Sequence, residues 1–427
     1  MLDSVKHVHL IGAGGIGISA VGKFLLAQGK TVSGSDSTQS AITDDLIKRG
    51  AAIRIGHEAS NIPEDCDLVV FTEAAGLDNI ERIEATKRGI EQLGHFGWLG
   101  ELSKQYRTIC VTGTNGKSTT TAMTGQIFVD AGLDPTVFVG SLVPGWELGN
   151  LRIGQSDILI IEGDEYKQKM VQLHPEVTVI TNIEEDHLDV YRDLDHIVAT
   201  FQQLVEQTGK SVFVNVDDAN SKRLIGSTIE QYGVNDVIGY ELLVPGEFNR
   251  ANAAAARVVA REFGVSDEMI KKSLENYRGI WRRFEVVGEL NGVTVVSDYG
   301  HHPTAIKGTL EGAKKFYASR RIVLCFQPHQ HNRTRELFEE FVSSFDLADA
   351  LILVEIYGVT GRTDDATVSS CDLLAAVERR LGHDRPMSYA KDLVEAEQQV
   401  RDLVQPGDVV LIMGAGDIDS VARKLVV

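Results

Sequence analysis

Long apolar runs are missing from this 427-residue sequence, none of them approaching the ~18 residues needed to span a bilayer. No basic segment followed by an apolar core opens the chain, so neither secretion nor a membrane anchor is expected and the cytoplasm is the expected compartment. Positive charge is scarce as well. Lys and Arg number 42 against 61 Asp and Glu, a formal net charge of -19, and no Lys/Arg-rich run offsets the deficit. This argues against a general nucleic-acid or membrane-surface binder, so any phosphate must be held by local geometry. Cysteine is limited to Cys66, Cys110, Cys325 and Cys371, far apart and without CxxC spacing. Reduced thiols are expected, with Cys110 and Cys325 inside apolar strand-like runs. No repeat or low-complexity segment stands out beyond a recurrence of strand-helix units.

What is present is organised around VTGTNGKSTTTAM, residues 111–123. It follows a short apolar run and opens a helix-like segment, which puts Gly113 and Gly116 at a strand-to-helix turn. Backbone N–H groups there, with the positive end of the helix, suit an anion. Lys117 adds a point charge and Ser118 a hydroxyl for magnesium, with Thr114, Asn115 and Thr119 completing the loop. Two residues separate the glycines, against four in a Walker A loop, so this is a shortened relative. A glycine-rich turn with a surface lysine is the bland alternative. It leaves unexplained why Gly, Lys and Ser/Thr all fall at the start of one helix.

Nearer the start, the strand-like residues 7–11 run into Gly12-Ala13-Gly14-Gly15-Ile16-Gly17, a GxGxxG pattern. A helix-like stretch and a second strand then lead to Asp36, the spacing of a dinucleotide site. Alone, this reads as an NAD-dependent oxidoreductase or as a site for another nucleotide or diphosphate. A strand is expected at 68–71 and a helix at 79–88. Residues 94–97 interrupt the pattern before a short helix at 99–104, and a first boundary is expected near Tyr106.

Two further apolar strands end in acids. Residues 157–161 lead into Glu162-Gly163-Asp164-Glu165, and 177–183 into Glu184-Glu185-Asp186-His187. Each alone is an ordinary cap or solvated loop. Strand ends in a parallel sheet converge, however, so Glu162 and His187 beside the phosphate loop suggest metal ligation, magnesium favouring oxygen ligands and the histidine being the softer member. Asn249 and Asn252 share a face at the start of an alanine-rich helix, where they could read the edge of a base or simply cap the helix. Beyond Arg282-Arg283-Phe284-Glu285, a strand at 294–297 leads to Asp298-Tyr299-Gly300-His301-His302-Pro303, with Pro303 suited to begin a helix. Strands at 322–326, 350–354 and 409–412 follow, the first ending in Gln327-Pro328-His329-Gln330-His331-Asn332-Arg333. The chain is too long for one core, and three domains are the working number.

GAGGIGISA with VSGSD, then GTNGKSTTT, NIEEDHLDVY, FNRANAAAA, RRFE, DYGHHPTAI, FQPHQHNRT and GAGDI together resemble the Mur ligases, in order and over nearly the whole chain. The resemblance implies an α/β chain of three domains. A Rossmann-like domain at 1–106 holds a UDP-sugar, a central P-loop-type ATPase domain occupies 107–280, and a C-terminal Rossmann-like domain at 281–427 takes the amino acid. It implies ATP-driven amide synthesis, in which the lactyl carboxylate of UDP-N-acetylmuramate becomes an acyl phosphate that an amine opens, a step of peptidoglycan precursor synthesis. Lys117 would then hold the γ-phosphate, and Ser118, Glu162 and His187 the magnesium ions. Asn249 and Asn252 would face adenine, while Arg283 and Asp298 close on ATP. Gly12, Gly14, Gly15, Gly17 and Asp36 would bind the UDP-sugar diphosphate rather than NAD. The amino acid is expected near Tyr299, His329 and Arg333, with His301 close to the reacting groups.

The implied partners are UDP-N-acetylmuramate, an amino acid and ATP, with no nucleic acid and no membrane, and the chain is expected as a monomer or homodimer. Gln330 stands where an arginine is common beside His329, which leaves the acceptor open among alanine, glycine and serine. Thr72-Glu73-Ala74-Ala75 stands where a serine pair is usual near the UDP site. Many Mur ligases also carry a carbamylated lysine on the helix after the Asp-His motif; residues 188–209 hold no lysine, and Gln202 or its neighbour aligns with it. A related ligase that attaches a recycled tripeptide to the same UDP-sugar is the nearest alternative, with an NAD-dependent oxidoreductase behind it.

Overall fold

The computed structural model describes residues 2–186, 190–358, 367–382 and 384–426. Contacts divide it into two compact units, one comprising Met1–Glu241 and Arg250–Glu275, the other Leu242–Asn249 and Asn276–Val427.

The first unit carries two sheets. β1 His7–Ile11, β2 Thr31–Asp36, β3 Ala52–Ile55, β4 Leu68–Phe71 and β5 Glu91–Gly94 pair in parallel in the order β3-β2-β1-β4-β5. All of β1 is buried, as expected of a strand covered on both faces. Its histidines are part of the interior. His9 and Glu81, both fully buried, lie 3.3 Å apart. Burial alone would raise the Glu81 carboxyl, but hydrogen bonds from His9, Ser35 and Asn61 outweigh it and hold it at about 2.

One expectation fails here. The helix placed at 99–104 starts at His95 and runs His95–Ser103, directly after the unforeseen β5. Its glycines are poor helix formers, but Gly100 is required by packing: a Cβ there would come 2.3 Å from the carbonyl oxygen of Gln172.

The second sheet is built from β6 Arg107–Thr112, β7 Thr136–Phe138, β8 Leu151–Arg152, β9 Ile158–Gly163, β10 Val177–Ile180, β11 Ser211–Asn215 and β12 Ile229–Tyr232. Its order is β12-β11-β10-β6-β9-β7-β8, parallel except for the edge strand β8. β6 sits at the centre, between β10 and β9. The two sheets share one apolar core, where Phe24 meets Trp98 edge-on and Phe138 at the same 5.7 Å centroid distance. Lys23 crosses between them and donates to the Leu148 carbonyl at 2.9 Å and to Asn150 at 3.1 Å.

The second unit holds β13 Glu285–Leu290, β14 Val293–Asp298, β15 Ile322–Phe326, β16 Ala350–Val354, β17 Met387–Ala390 and β18 Val409–Met413, in the order β13-β14-β18-β15-β16-β17. Only β13 runs antiparallel, with a register shift between Val286 and Gly288. Pro303 opens the helix Pro303–Phe316, as expected, and His302 caps it. Cys66, Cys110 and Cys325 are buried free thiols, and Cys371 is exposed. Among the described residues no helix is long and apolar enough to cross a membrane.

Candidate active site

β6 ends at Thr112 and the helix begins at Lys117 (Lys117–Asp130), with four residues between them, so the loop must turn sharply. Gly113 and Gly116 make the turn with φ of +136° and +85°. Neither position tolerates a side chain: a Cβ on Gly113 would lie 2.0 Å from Thr181 Oγ1, and one on Gly116 2.2 Å from Asn252 Oδ1. The segment after β10 clamps the loop. Thr114 N–H donates to the Asn182 carbonyl and Asn115 N–H to Asn182 Oδ1, both at 2.9 Å, while Thr181 Oγ1 donates to the Asn115 carbonyl at 2.6 Å. No side chain caps the helix that follows. Its first-turn N–H groups are thus left to an anion, and the helix dipole favours one there.

Two acids flank the helix start. Lys117 Nζ lies 2.7 Å from Glu165 Oε2 and donates to the carbonyls of Gly113 and Thr114 at 2.7 and 3.0 Å. Ser118 Oγ donates to Glu162 Oε1 at 2.8 Å, and Gly140 N–H to Glu162 Oε2 at 2.6 Å. Gly140 makes room for this carboxylate, since a Cβ would come 2.9 Å from it. Thr119 is buried in the same turn. Glu184 accepts from Asn115 Nδ2 at 3.1 Å, and burial followed by the charges of Asp218 and Asp186 raises its carboxyl above the usual range. His187, expected as a metal ligand, lies outside the described residues.

The two asparagines are placed separately. Asn252, 4 % exposed, accepts from Thr120 Oγ1 at 3.2 Å and braces Gly116. Asn249 donates to the Pro245 carbonyl at 2.7 Å.

The other glycine loop is equally constrained. A Cβ on Gly12 would come 2.4 Å from Thr72, and one on Gly17 2.4 Å from the His95 ring. Asp36 Oδ2 accepts from Gly14 N–H at 2.8 Å, and Gly15 precedes the helix Ile16–Ala27, which has no side-chain cap.

In the second unit, Asp298 ends β14, buried, and accepts from Phe284 N–H and Gly300 N–H, both at 2.7 Å. Burial raises its carboxyl despite those bonds and the nearby Arg283 and Arg282. The guanidinium groups of Arg282 and Arg283 stand 5.0 and 4.9 Å from the Tyr299 ring centroid. His301 meets Tyr299 edge-on at 5.3 Å, with His329 5.9 Å beyond. Its Nδ1 lies 3.1 Å from the Tyr299 carbonyl. Burial, and then Arg333, push His301 down to about 4, so at neutral pH the ring is neutral, its Nδ1–H donates to that carbonyl, and Nε2 carries a lone pair. His329 stacks on Tyr357 at 5.5 Å, and Arg333 Nη1 lies 3.4 Å from His329 Nδ1. Gln330 precedes the helix His331–Glu336 with φ of +71°.

Sequence reasoning missed Glu165, Asn182, Gly140 and Tyr357. Glu165 and Asn182 had a signal, since each follows an apolar strand within a stretch already marked for chemistry. Gly140 and Tyr357 had none.

Three family descriptions match the chain: "Mur ligase family, catalytic domain" over residues 7–107, "Mur ligase middle domain" over 111–240 and "Mur ligase, glutamate ligase domain" over 282–416. UDP-N-acetylmuramate--L-alanine ligases of Salinibacter ruber and Clostridium tetani are 38% and 40% identical to it, each alignment covering 98% of this chain and 94% and 97% of the relative. A solved UDP-N-acetylmuramate-alanine ligase from Thermotoga maritima superimposes with a TM-score of 0.84 at 27% identity, over 99% of this chain and 98% of that one. A murein peptide ligase from Psychrobacter arcticus shares the fold with a TM-score of 0.66 at 22% identity, over 98% of each chain.

Proposed function

The chain belongs to the Mur ligase family, and from that premise we propose that it joins L-alanine, or a similarly small amino acid, to the lactyl carboxylate of UDP-N-acetylmuramate, driven by cleavage of ATP to ADP and phosphate. The observation that carries this is the arrangement at the ends of β6 and β9, where an uncapped helix start, Lys117 and the Ser118–Glu162 pair form a cradle for a nucleotide phosphate. In the first step a carboxylate oxygen attacks the γ-phosphorus and ADP leaves, giving an acyl phosphate. In the second the amine attacks the carbonyl carbon, phosphate departs with the bonding pair, and nitrogen gives up a proton.

Both steps bring anions together, so catalysis rests on positioning and charge neutralisation. Lys117 exchanges Glu165 for the γ-phosphate, and the loop N–H groups hold the β-phosphate. Asn252 fixes the loop, Asn249 serves the adenine side, and Arg283 and Asp298 are assigned to the nucleotide as well. Ser118 and Glu162 offer the hard oxygens that magnesium takes, and the room left by Gly140 suits the fit. The ion, when bound, offsets phosphate charge. His187 is the further ligand expected from the sequence. Gly12, Gly14, Gly15, Gly17 and Asp36 hold the UDP diphosphate. Arg333 and His329 hold the amino-acid carboxylate, and His301 Nε2 accepts a hydrogen bond from the amine.

The accompanying division is 1–106 for the sugar nucleotide, 107–280 for ATP and 281–427 for the amino acid, in a cytoplasmic monomer or homodimer. Mass spectrometry of the product after incubation with ATP, magnesium, UDP-N-acetylmuramate and a mixture of amino acids and the cell-wall tripeptide tests the reading. A single added alanine, glycine or serine is expected. A product carrying the tripeptide moves the chain to the recycling branch, and ATP turnover without any adduct overturns the assignment.

A further inference from the structure

The turn after β9 places two lysines on two consecutive acids. Lys117 reaches Glu165 at 2.7 Å, and Lys169 reaches Asp164 at 2.7 Å, with both lysine side chains largely buried. Lys169 gets there through unusual backbone. Lys167 and Gln168 both adopt left-handed conformations, φ 53° and 59°, and Met170 N–H returns to the Asp164 carbonyl at 2.9 Å. Two successive non-glycine residues in that region are costly, and such strain gathers where a chain must present a group in one place.

Lys169 lies near the helix His95–Ser103. Its Nζ lies 5.9 Å from the ring of Phe96, the residue after His95, and His95 in turn packs on Gly17 of the first glycine loop. Burial, and next the charge of Lys169, push His95 down to about 4, so this imidazole is neutral and Lys169 is the cation of the cluster. One continuous track therefore runs from Gly17 past His95 to Lys169 and Asp164, and on through Glu165 to Lys117, all within the first unit. The proposed reaction sets a carboxylate against a γ-phosphate, and Lys117 answers only the second of these charges. A cation is needed for the first.

We infer that Lys169, held ready by Asp164 and flanked by His95, is the ligand for the carboxylate of the sugar nucleotide, so that Lys117 and Lys169 form a two-armed clamp on the two reacting anions. This rests on the placement of UDP along Gly12 to Gly17 and of ATP at Lys117. Asp164 is to Lys169 what Glu165 is to Lys117, a resident anion that the substrate replaces.

Calorimetry separates this from a merely structural ion pair. Wild type, Lys169→Met and Lys169→Arg are titrated with UDP-N-acetylmuramate, with UDP-N-acetylglucosamine, which has no lactyl carboxylate, and with UDP; thermal melts check that the variants fold. Lys169→Met is expected to weaken UDP-N-acetylmuramate ~10-fold or more while leaving the other two ligands within about twofold, with Lys169→Arg recovering most of the loss. Equal weakening toward all three ligands, or none toward UDP-N-acetylmuramate, overturns the inference while the placement of UDP stands. A wild type that binds ATP but none of the three uridine ligands removes that placement and the inference together.

Discussion

In the phosphate loop the left-handed backbone falls on glycines, Gly113 and Gly116, whereas around the histidines of the second unit it falls on Arg282, Phe284 and Gln330. The first region is proposed to hold an anion with main-chain N–H groups; side chains are excluded from the turn, where the neighbours Thr181, Asn182 and Asn252 fill the space up to the glycine Cα atoms. The second, as proposed, presents side chains to its ligand. There the awkward backbone is carried by residues with full side chains, and Asp298 and the Tyr299 ring hold it in place. A phosphate is the same in every nucleotide, and a loop that binds it leaves little to vary. The acceptor differs among ligases, and Gln330, expected from the sequence to depart from the usual arginine, falls in the region proposed for it.

The largest effect is expected from removing the side chain of the first region that is assigned to the γ-phosphate. Lys117→Ala is expected to lower turnover by ~10³-fold while the protein melts near the wild-type temperature, because the lost charge acts mainly on the transferring phosphoryl group. Near-normal ATP-dependent ligation by a folded Lys117→Ala protein would remove the phosphate loop from the mechanism.

Substitutions that exchange the two backbone strategies follow. Gly116→Ala puts a Cβ 2.2 Å from Asn252 Oδ1 at a φ of +85°, and a loss of ~2 kcal/mol in stability with a weakened nucleotide affinity is expected. Gln330→Gly relieves a φ of +71° and is expected to raise stability by up to ~1 kcal/mol while leaving ATP affinity unchanged. Denaturant melts and nucleotide titration check both, and a Gly116→Ala protein as stable as wild type would show that the loop moves more freely than its contacts imply.

Much of the phosphate loop could be read from the sequence because its chemistry is local: Gly113, Gly116, Lys117 and Ser118 are consecutive or nearly so, and the helix start follows directly. Glu162 was reached because strand ends converge in a parallel sheet. Glu165 lies in the same acidic run, but nothing local distinguishes the acid that meets Ser118 from the one that meets Lys117. That depends on where β9 ends, since Glu162 is still in the strand and Glu165 lies beyond it, at the start of the turn. The strands β3, β5, β7, β8, β12, β13 and β17 were missed because they are short, lie toward sheet edges and alternate weakly; several, such as β12 with Glu230 and Gln231 exposed, expose polar residues. The helix start at His95 was displaced by glycines whose reason is packing against Gln172, a contact 72 residues away from Gly100 in the chain.

A smaller effect separates the regions by pH. His301 in the second unit and His95 in the first are both lowered from 6.5 to about 4, burial being the main cause in each. Each is neutral when folded and takes up a proton when unfolded between those values, so stability is full above about 6.5 and falls as pH drops toward 4. Glu81, held at about 2 against an ordinary 4.5, adds a second loss in the same direction below about 4.5. Melting temperature is expected to decline from pH 6.5 to 4, with His301→Gln flattening part of that slope. An unchanged slope in the variant would show that His301 is not buried as neutral imidazole.

The smallest expected effect is none at all, and it concerns a lysine this chain does not have. Many Mur ligases carry a carbamylated lysine on the helix after the Asp-His motif, and Gln202, or the residue beside it, is the position expected from the sequence to correspond, on the helix Leu194–Gln207. The Gln202 carboxamide is already used at both ends: its Oε1 accepts from Ile225 N–H at 3.0 Å, and its Nε2 donates to the Ile225 carbonyl at 2.8 Å. A neutral carboxamide cannot be carbamylated, and this one holds a neighbouring loop rather than a phosphate or an acid of the β6–β9 cradle. Lys210, the next lysine along the chain, pairs with Glu262 at 2.7 Å. Rigorous removal of carbon dioxide and bicarbonate should therefore leave the rate of wild type unchanged, and Gln202→Lys should not create a dependence on them, since the new side chain would start from a backbone position that faces Ile225. A wild-type rate that falls on removal and returns on addition would mean that a lysine elsewhere supplies the carbamate, with Lys210 the first to substitute, and that the alignment of this helix is wrong.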